Sequence, residues 1–244
     1  MLLHIFLLAI VVLAAALVQS TSGFGFGIVF MAIIPLFWPY KQCIVLSLTT
    51  GIFLQLITII RLHKYIKWRM VIFPAIGAFV GGTIGVHLMV NLSTHIIDIV
   101  LGIFLWSLAL YMIFISPHIR LKRGVPVELS MGFIGGFMGG MFSVGGPPMV
   151  AYYDSVVDNP LTYQSTIQTY FMLTSLNNLF NNFLCGNISV KMLPPLCITL
   201  VCCGIGTLIG IKISRKISMQ IVRKLAYTVM MCAGTYDLFK AFFL

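Results

Sequence analysis

Apolar runs of about 20 residues recur along this chain, and its few charges sit in short clusters between them. A helix of that length crosses a hydrocarbon core of about 30 Å. Backbone polar groups have no water to bond there, so only helices or closed barrels can span. The pattern predicts an all-α polytopic membrane protein. Of the 244 residues, 60% are hydrophobic and 8% are charged, whereas soluble domains carry roughly a quarter charged residues. No stretch is polar enough for a separate soluble domain. The first apolar run lacks a basic leader and a small-residue cleavage site, and is read as a retained segment.

The long runs are Leu2–Val18, Cys43–Ile60, Met70–Val90, His95–Ile115, Tyr163–Leu184, Met192–Ile213 and Met219–Phe243. Shorter pieces surround two glycine-rich interruptions, at Gln19–Gly27 and Ser143–Pro148. The pattern repeats. At an offset of 121, Ser22 and Gly25 fall on Ser143 and Gly146. At 122, Ile66 and Met70 fall on Ile188 and Met192; at 125, Gly85, Ser93, Tyr111 and Phe114 fall on Gly210, Ser218, Tyr236 and Phe239. Such order and spacing indicate an internal repeat. Residues 1–115 form a first membrane repeat, 116–127 a cytoplasmic connector and 128–244 a second repeat. Each repeat is expected to hold a broken or re-entrant helical segment followed by three transmembrane helices.

Equivalent loops carry opposite basic bias. Arg61–Arg69 holds four Lys or Arg residues, while its counterpart near Cys185–Lys191 holds only Lys191. Asn91–His95 holds none, while Lys212–Lys224 holds five. Basic loops stay cytoplasmic, so the repeats are expected to have inverted topology. Arg120–Arg123 and Lys212–Lys224 then lie on one side, with an even number of crossings by Glu128–Val157, as in a re-entrant hairpin. Both termini fall outside, in a multi-pass protein of the plasma (inner) membrane.

The net charge of +10 does not indicate nucleic acid, because the bases flank apolar runs and form no single patch. No HExxH, GxSxG or P-loop pattern occurs, the five histidines are scattered, and the six cysteines have no metal spacing. No enzyme, metal or cofactor is expected; the partners are a small anion and the lipid bilayer.

Two glycine-rich interruptions at matching places in inverted halves mark a transporter's central site. A helix starting within the membrane presents unpaired N–H groups and a partial positive charge to an anion. The candidate substrate-binding residues are therefore Ser22, Gly23, Gly25 and Gly27 in one break and Ser143, Gly145, Gly146 and Pro147 in the other. Thr50 and Gln55 in the following run, with Gln168 and Asn177 in its counterpart, add hydroxyl and amide donors without a buried charge. Ser47, Ser165 and Thr166 are weaker candidates. Gly77, Gly81, Gly82 and Gly85 read as close-packing residues. Asn181 and Asn182 are expected near a surface, and Asp237 is expected to pair with Lys240 three residues on. The acids are only Asp98, Glu128, Asp154, Asp158 and Asp237. None sits convincingly at mid-membrane, so nothing in the sequence points to proton coupling.

The segments SGFGFGIVFMAIIPL (Ser22–Leu36), GGMFSVGGPPMVAYY (Gly139–Tyr153) and YQSTIQTYFMLTSLNN (Tyr163–Asn178) resemble the TauE/SafE family of anion permeases, also called sulfite exporters. Tyr65–Trp68 is similar to that family's tyrosine-containing loop. The resemblance implies transport of a sulfur oxyanion such as sulfite or an organosulfonate, with the Gly-rich motifs mapping onto Ser22–Gly27 and Ser143–Pro148. The chain differs at Gln164, where many relatives carry Arg, and at Phe24 and Phe26, where many carry more glycine. A secondary transporter working by alternating access is the leading expectation. An anion channel of the same architecture and a non-transporting membrane scaffold are the alternatives.

Overall fold

A computed structural model describes residues 2–118, 120–213 and 219–243. The described residues are helical or irregular, with no strand. In chain order the helices are α1 (Leu2–Ser22), α2 (Phe26–Ile33), α3 (Tyr40–Leu62), α4 (Trp68–Asn91), α5 (Thr94–Leu110), α6 (Val125–Phe142), α7 (Gly146–Val156), α8 (Pro160–Leu184), α9 (Leu193–Ile213) and α10 (Met219–Phe243). Among the described residues, six segments, within α1, α3, α4, α5, α6 and α9 with some flanking turns, are long and apolar enough to cross a membrane. Helix α8 is also 25 residues long, but its Gln and Asn side chains make it more polar. Local signals set the starts. Asn159 accepts from the Leu161 and Thr162 amides at the head of α8, where Pro160 needs no partner. Ser93 does the same for α5 through the Ile96 amide.

Helix packing is dominated by glycine. On α4, a Cβ at Gly77, Gly81 or Gly85 would run into the carbonyls of Leu129, Phe133 and Phe137 on α6. Reciprocally, Gly132, Gly136 and Gly140 of α6 lie against the backbone at Pro74, Ala78 and Gly82. Small residues four apart thus form one stripe on each helix, and the two backbones touch. The opposite face of α4 exposes Ile72, Ile76, Val80, Ile84 and Leu88, a stripe suited to lipid. Gly82 differs from its neighbours by facing Asn177 and Asn178 of α8.

The major helix pairs are α4 with α6, α1 with α9, α5 with α10 and α3 with α8. Exchange of the elements before residue 116 for their counterparts after it converts the first pair into the second. The other two pairs map onto themselves.

Helix α7 folds back along α6. Gly145 packs against Gly135 and Gly139, and the Tyr152 hydroxyl donates to Glu128 near the start of α6 at 2.7 Å. This is a helical hairpin with unequal arms of 18 and 11 residues. Glu128 is consequently buried, although its position in the sequence suggests a segment end.

Three other expectations are corrected. Asn181 and Asn182 are buried rather than superficial. Asn181 donates to the Thr83 hydroxyl of α4 at 3.2 Å, and Asn182 to the Asn178 carbonyl at 2.8 Å. Lys240 pairs with Asp98 of α5 at 2.8 Å, not with Asp237. The helical spacing from 237 to 240 allowed the local pair, but the close α5–α10 contact supplies a better partner.

Candidate functional site

The first break begins where α1 ends. Gly23 (φ 78°) and Gly25 (φ 107°) both adopt left-handed backbone, which glycine reaches without a Cβ clash. Gln19, in the last turn of α1, spans the break: its Nε2 donates to the Gly23 carbonyl at 3.3 Å, and its Oε1 accepts from the Phe26 amide at 3.1 Å. One of the free donors of α2 is thereby capped. The next two amides, of Gly27 and Ile28, have no acceptor within their own helix.

The second break turns on Ser143, whose φ of 56° is the only positive value at a non-glycine among the described residues. That conformation costs about 1–2 kcal/mol for an L-residue. The Ser143 hydroxyl donates to Ser47 of α3 at 3.0 Å, tying the strained turn to the neighbouring helix. Helix α7 then starts at Gly146 with Pro147 and Pro148 in its first turn. Neither proline has an N–H, so this helix start offers fewer donors than that of α2.

The two breaks meet. A Cβ at Gly27 would collide with the Ser143 carbonyl, and one at Gly146 would lie 3.8 Å from the Phe24 ring. Between them is a cavity of about 80 Å³. Gly25, Gly27 and Ile28 line it from one break, and Ser143, Val144, Gly145 and Gly146 from the other. Helix α3 adds Ser47, Gly51 and Gln55; helix α8 adds Phe171, Thr174, Ser175 and Asn178. Among the described residues, no charged side chain lines it. Gln55 is buried, with Nε2 3.5 Å from the Ser175 hydroxyl, while Oε1 has no partner; Asn178 Oδ1 is also unpartnered. An amide turned end for end exchanges acceptor for donor, so both side chains can bond to an enclosed molecule.

Six of the leading sequence-derived candidates therefore line one cavity, Gly25, Gly27, Gln55, Ser143, Gly145 and Gly146, and the weaker candidate Ser47 joins them. Others lie elsewhere. Thr50 is buried with its hydroxyl 3.0 Å from that of Thr199 on α9. Pro147 is buried behind Gly146 and is not on the cavity wall. Asn177 donates to the Phe79 carbonyl of α4 at 3.4 Å. Gly23 is in the break itself and accepts from Gln168 Nε2. The side chain of Ser22 lies outside the described residues. Gln19, Gly51, Thr174 and Ser175 line the cavity without having been singled out. A signal for two of them exists: Gly51 lies at four-residue spacing between Ser47 and Gln55, and Gln19 opens the polar run that leads into Gly23, four residues on.

A second cavity, of about 290 Å³, borders the first. Gln19 lines both, and Gln168, bonded to the first break, lines this one. Its other polar residues are Ser20, Thr58, Arg61, Gln164 and Thr207. Among the described residues, Arg61, at the end of α3, is the charged one on its wall.

The profile of the sulfite exporter TauE/SafE family matches residues 7–236. A protein from Cupriavidus necator described as a probable sulfite/organosulfonate exporter TauE is 23% identical over 227 residues, covering 88% of this chain and 86% of that relative. No solved structure matches the chain.

Proposed function

Because the chain belongs to the TauE/SafE sulfite exporter family, we propose that it is a secondary transporter for a small sulfur oxyanion such as sulfite or an organosulfonate. The observation that carries this reading is the cavity lined by both chain breaks. An oxyanion there meets the free amides of Gly27 and Ile28, the Gly146 amide, and the side chains of Ser47, Ser143, Gln55 and Asn178. Amides and hydroxyls can replace its water without introducing a full buried charge. The relative's description supports the sulfur class. The larger cavity is the approach path, with Arg61 drawing anions toward it and Gln19 and Gln168 at the junction.

The cycle is alternating access. Residues 1–115 and 128–244 act as two oppositely inserted halves joined by the connector 116–127, and the exchangeable helix pairs support that arrangement. The α1–α2 and α6–α7 hairpins enter the membrane of the cell, the plasma (inner) membrane, and return. Labelling of single cysteines introduced at Arg120 and Leu244 is expected to find residue 120 cytoplasmic and residue 244 outside; labelling from one side only overturns this topology.

Uptake of sulfite, thiosulfate, taurine, sulfoacetate and methanesulfonate into proteoliposomes tests the function. A carrier saturates and shows trans-stimulation by the transported anion. Absence of flux with every compound overturns the proposal, and non-saturating flux without trans-stimulation identifies a channel. Arg61→Gln is expected to raise the KM for the transported anion about tenfold and to remove most of its salt dependence, leaving the maximal rate within about twofold. An unchanged KM removes Arg61 from the path.

A further inference from the structure

Four of the five acids have an evident placement. Glu128 accepts from Tyr152, Asp98 binds Lys240, and Asp154 and Asp158 are exposed. Asp237 is different. It lies in α10 with 3% of its surface exposed, and its Oδ2 is buried without a hydrogen-bond partner. Lys240, one turn away on the same helix, is held by Asp98. The position does not need an acid for packing. At the repeat offset of 125 its counterpart is Met112, which is buried at 4% exposure. A carboxyl buried without a hydrogen-bond partner is costly when ionised, so such a group is a candidate for a functional role.

We infer that Asp237 is a proton-binding site whose charge state is coupled to passage of the anion, an inference resting on the transport reading above. Protonation converts the carboxylate to a carboxylic acid, removing the buried charge and giving the unpartnered side a hydroxyl. The facing groups are few. Asp98 stands across on α5, Lys240 on α10 itself, and Tyr40 at the start of α3. Helix α2 has no titratable side chain, and α1 has only His4, whose ring lies near Phe37. Water reaches the Asp98–Lys240 pair through an open cavity of about 520 Å³, which Thr94, His95 and Tyr236 also line.

Two routes connect this carboxyl to the anion cavity. Helix α10 packs directly on α2. Tyr40 donates to the Met141 carbonyl at 2.8 Å, two residues before the Ser143 turn. A proton taken up with one monovalent sulfonate and released with it carries no net charge across the membrane, so the coupled cycle is electroneutral.

Full-length wild type, Asp237→Asn and Asp237→Glu are to be purified and studied in two ways. Infrared spectra of the protein without anion, across a pH series, read the carboxylic C=O stretch. The inference expects a titrating band in wild type that Asp237→Asn removes and Asp237→Glu shifts. No such band, or one that survives Asp237→Asn, overturns it. Proteoliposomes loaded with a pH-sensitive dye then read proton entry driven by methanesulfonate, which stays ionised throughout. Wild type and Asp237→Glu are expected to acidify the lumen. Asp237→Asn should still exchange methanesulfonate, with proton entry reduced at least about tenfold. Proton entry that persists in Asp237→Asn, or wild-type methanesulfonate flux without protons, overturns the coupling. If no sulfonate moves at all while the infrared band behaves as expected, the transport reading fails and the protonation site stands.

Discussion

Gly27→Leu lowers anion uptake by about 100-fold or more, while the protein still folds and inserts. Gly27 opens α2 at the point where the two breaks touch, and any Cβ there meets the Ser143 backbone carbonyl. Ser143 has little freedom to withdraw. Its backbone is already left-handed, and its hydroxyl is tied to Ser47. The leucine therefore either pushes the two helix starts apart or enters the cavity of about 80 Å³. Overpacking of this kind costs about 1–3 kcal/mol; where the leucine occupies the space the anion needs, a loss of about 3 kcal/mol in binding is roughly a hundredfold in affinity. Gly204→Leu is the control: it is on α9, and a Cβ there meets nothing within 4 Å. Uptake by purified, reconstituted protein checks both. Near-normal uptake by Gly27→Leu would remove the cavity between the breaks from the transport path.

The contact between the breaks explains how much of the site could be read from sequence. The interruptions themselves were legible because glycine and proline punctuate apolar runs, and neither the Ser, Thr, Ser and Gly of 20–23 nor the Gly, Gly, Pro and Pro of 145–148 suits a continuous membrane helix. The flanking helices were harder. On α3 the cavity face is Ser47, Gly51 and Gln55, a four-residue spacing that includes Gln55 but turns Thr50 toward Thr199 of α9. On α8 it is Phe171, Thr174, Ser175 and Asn178, so Asn178 faces the cavity while its neighbour Asn177 faces α4. Chain composition identifies the polar residues of an apolar helix; its rotation about its own axis depends on tertiary packing, and one position shifts a side chain by about 100°.

Asp237 illustrates the same limit from the opposite direction. Near the end of the chain and three residues before Lys240, it reads as one half of a local ion pair. The pair is displaced because α5 approaches α10 closely: a Cβ at Gly102 would lie 2.8 Å from the Leu238 side chain and 2.9 Å from the Gly234 carbonyl. That approach brings Asp98 to Lys240 and leaves Asp237 buried beside them. A cross-helix contact of this kind leaves no periodic trace in either segment.

Gly136→Leu strongly destabilises the helix bundle. Position 136 is at the centre of the α4–α6 interface, where a Cβ would meet the Ala78 carbonyl carbon at 2.7 Å as well as its oxygen and Cα. These are backbone atoms, so no rotamer change relieves the clash. The helices must separate along their length, and separation also loses the reciprocal contacts of Gly132 with Pro74 and Gly140 with Gly82. In lipid there is no hydrophobic gain to hold two apolar helices together once close packing is lost. The expected loss is at least about 3 kcal/mol, a large share of a membrane bundle's stability on the usual scale of about 5–15 kcal/mol. Size-exclusion chromatography and a thermal melt in detergent check it. Gly136→Leu should give aggregated protein, or a midpoint lowered by about 10 °C or more, whereas Gly204→Leu should match wild type. Gly136→Ala sets the scale between them, since its single methyl group already requires α4 and α6 to shift. A Gly136→Leu protein with a wild-type melt would mean that the two backbones are not in contact, and the glycine stripes on α4 and α6 would then need another explanation.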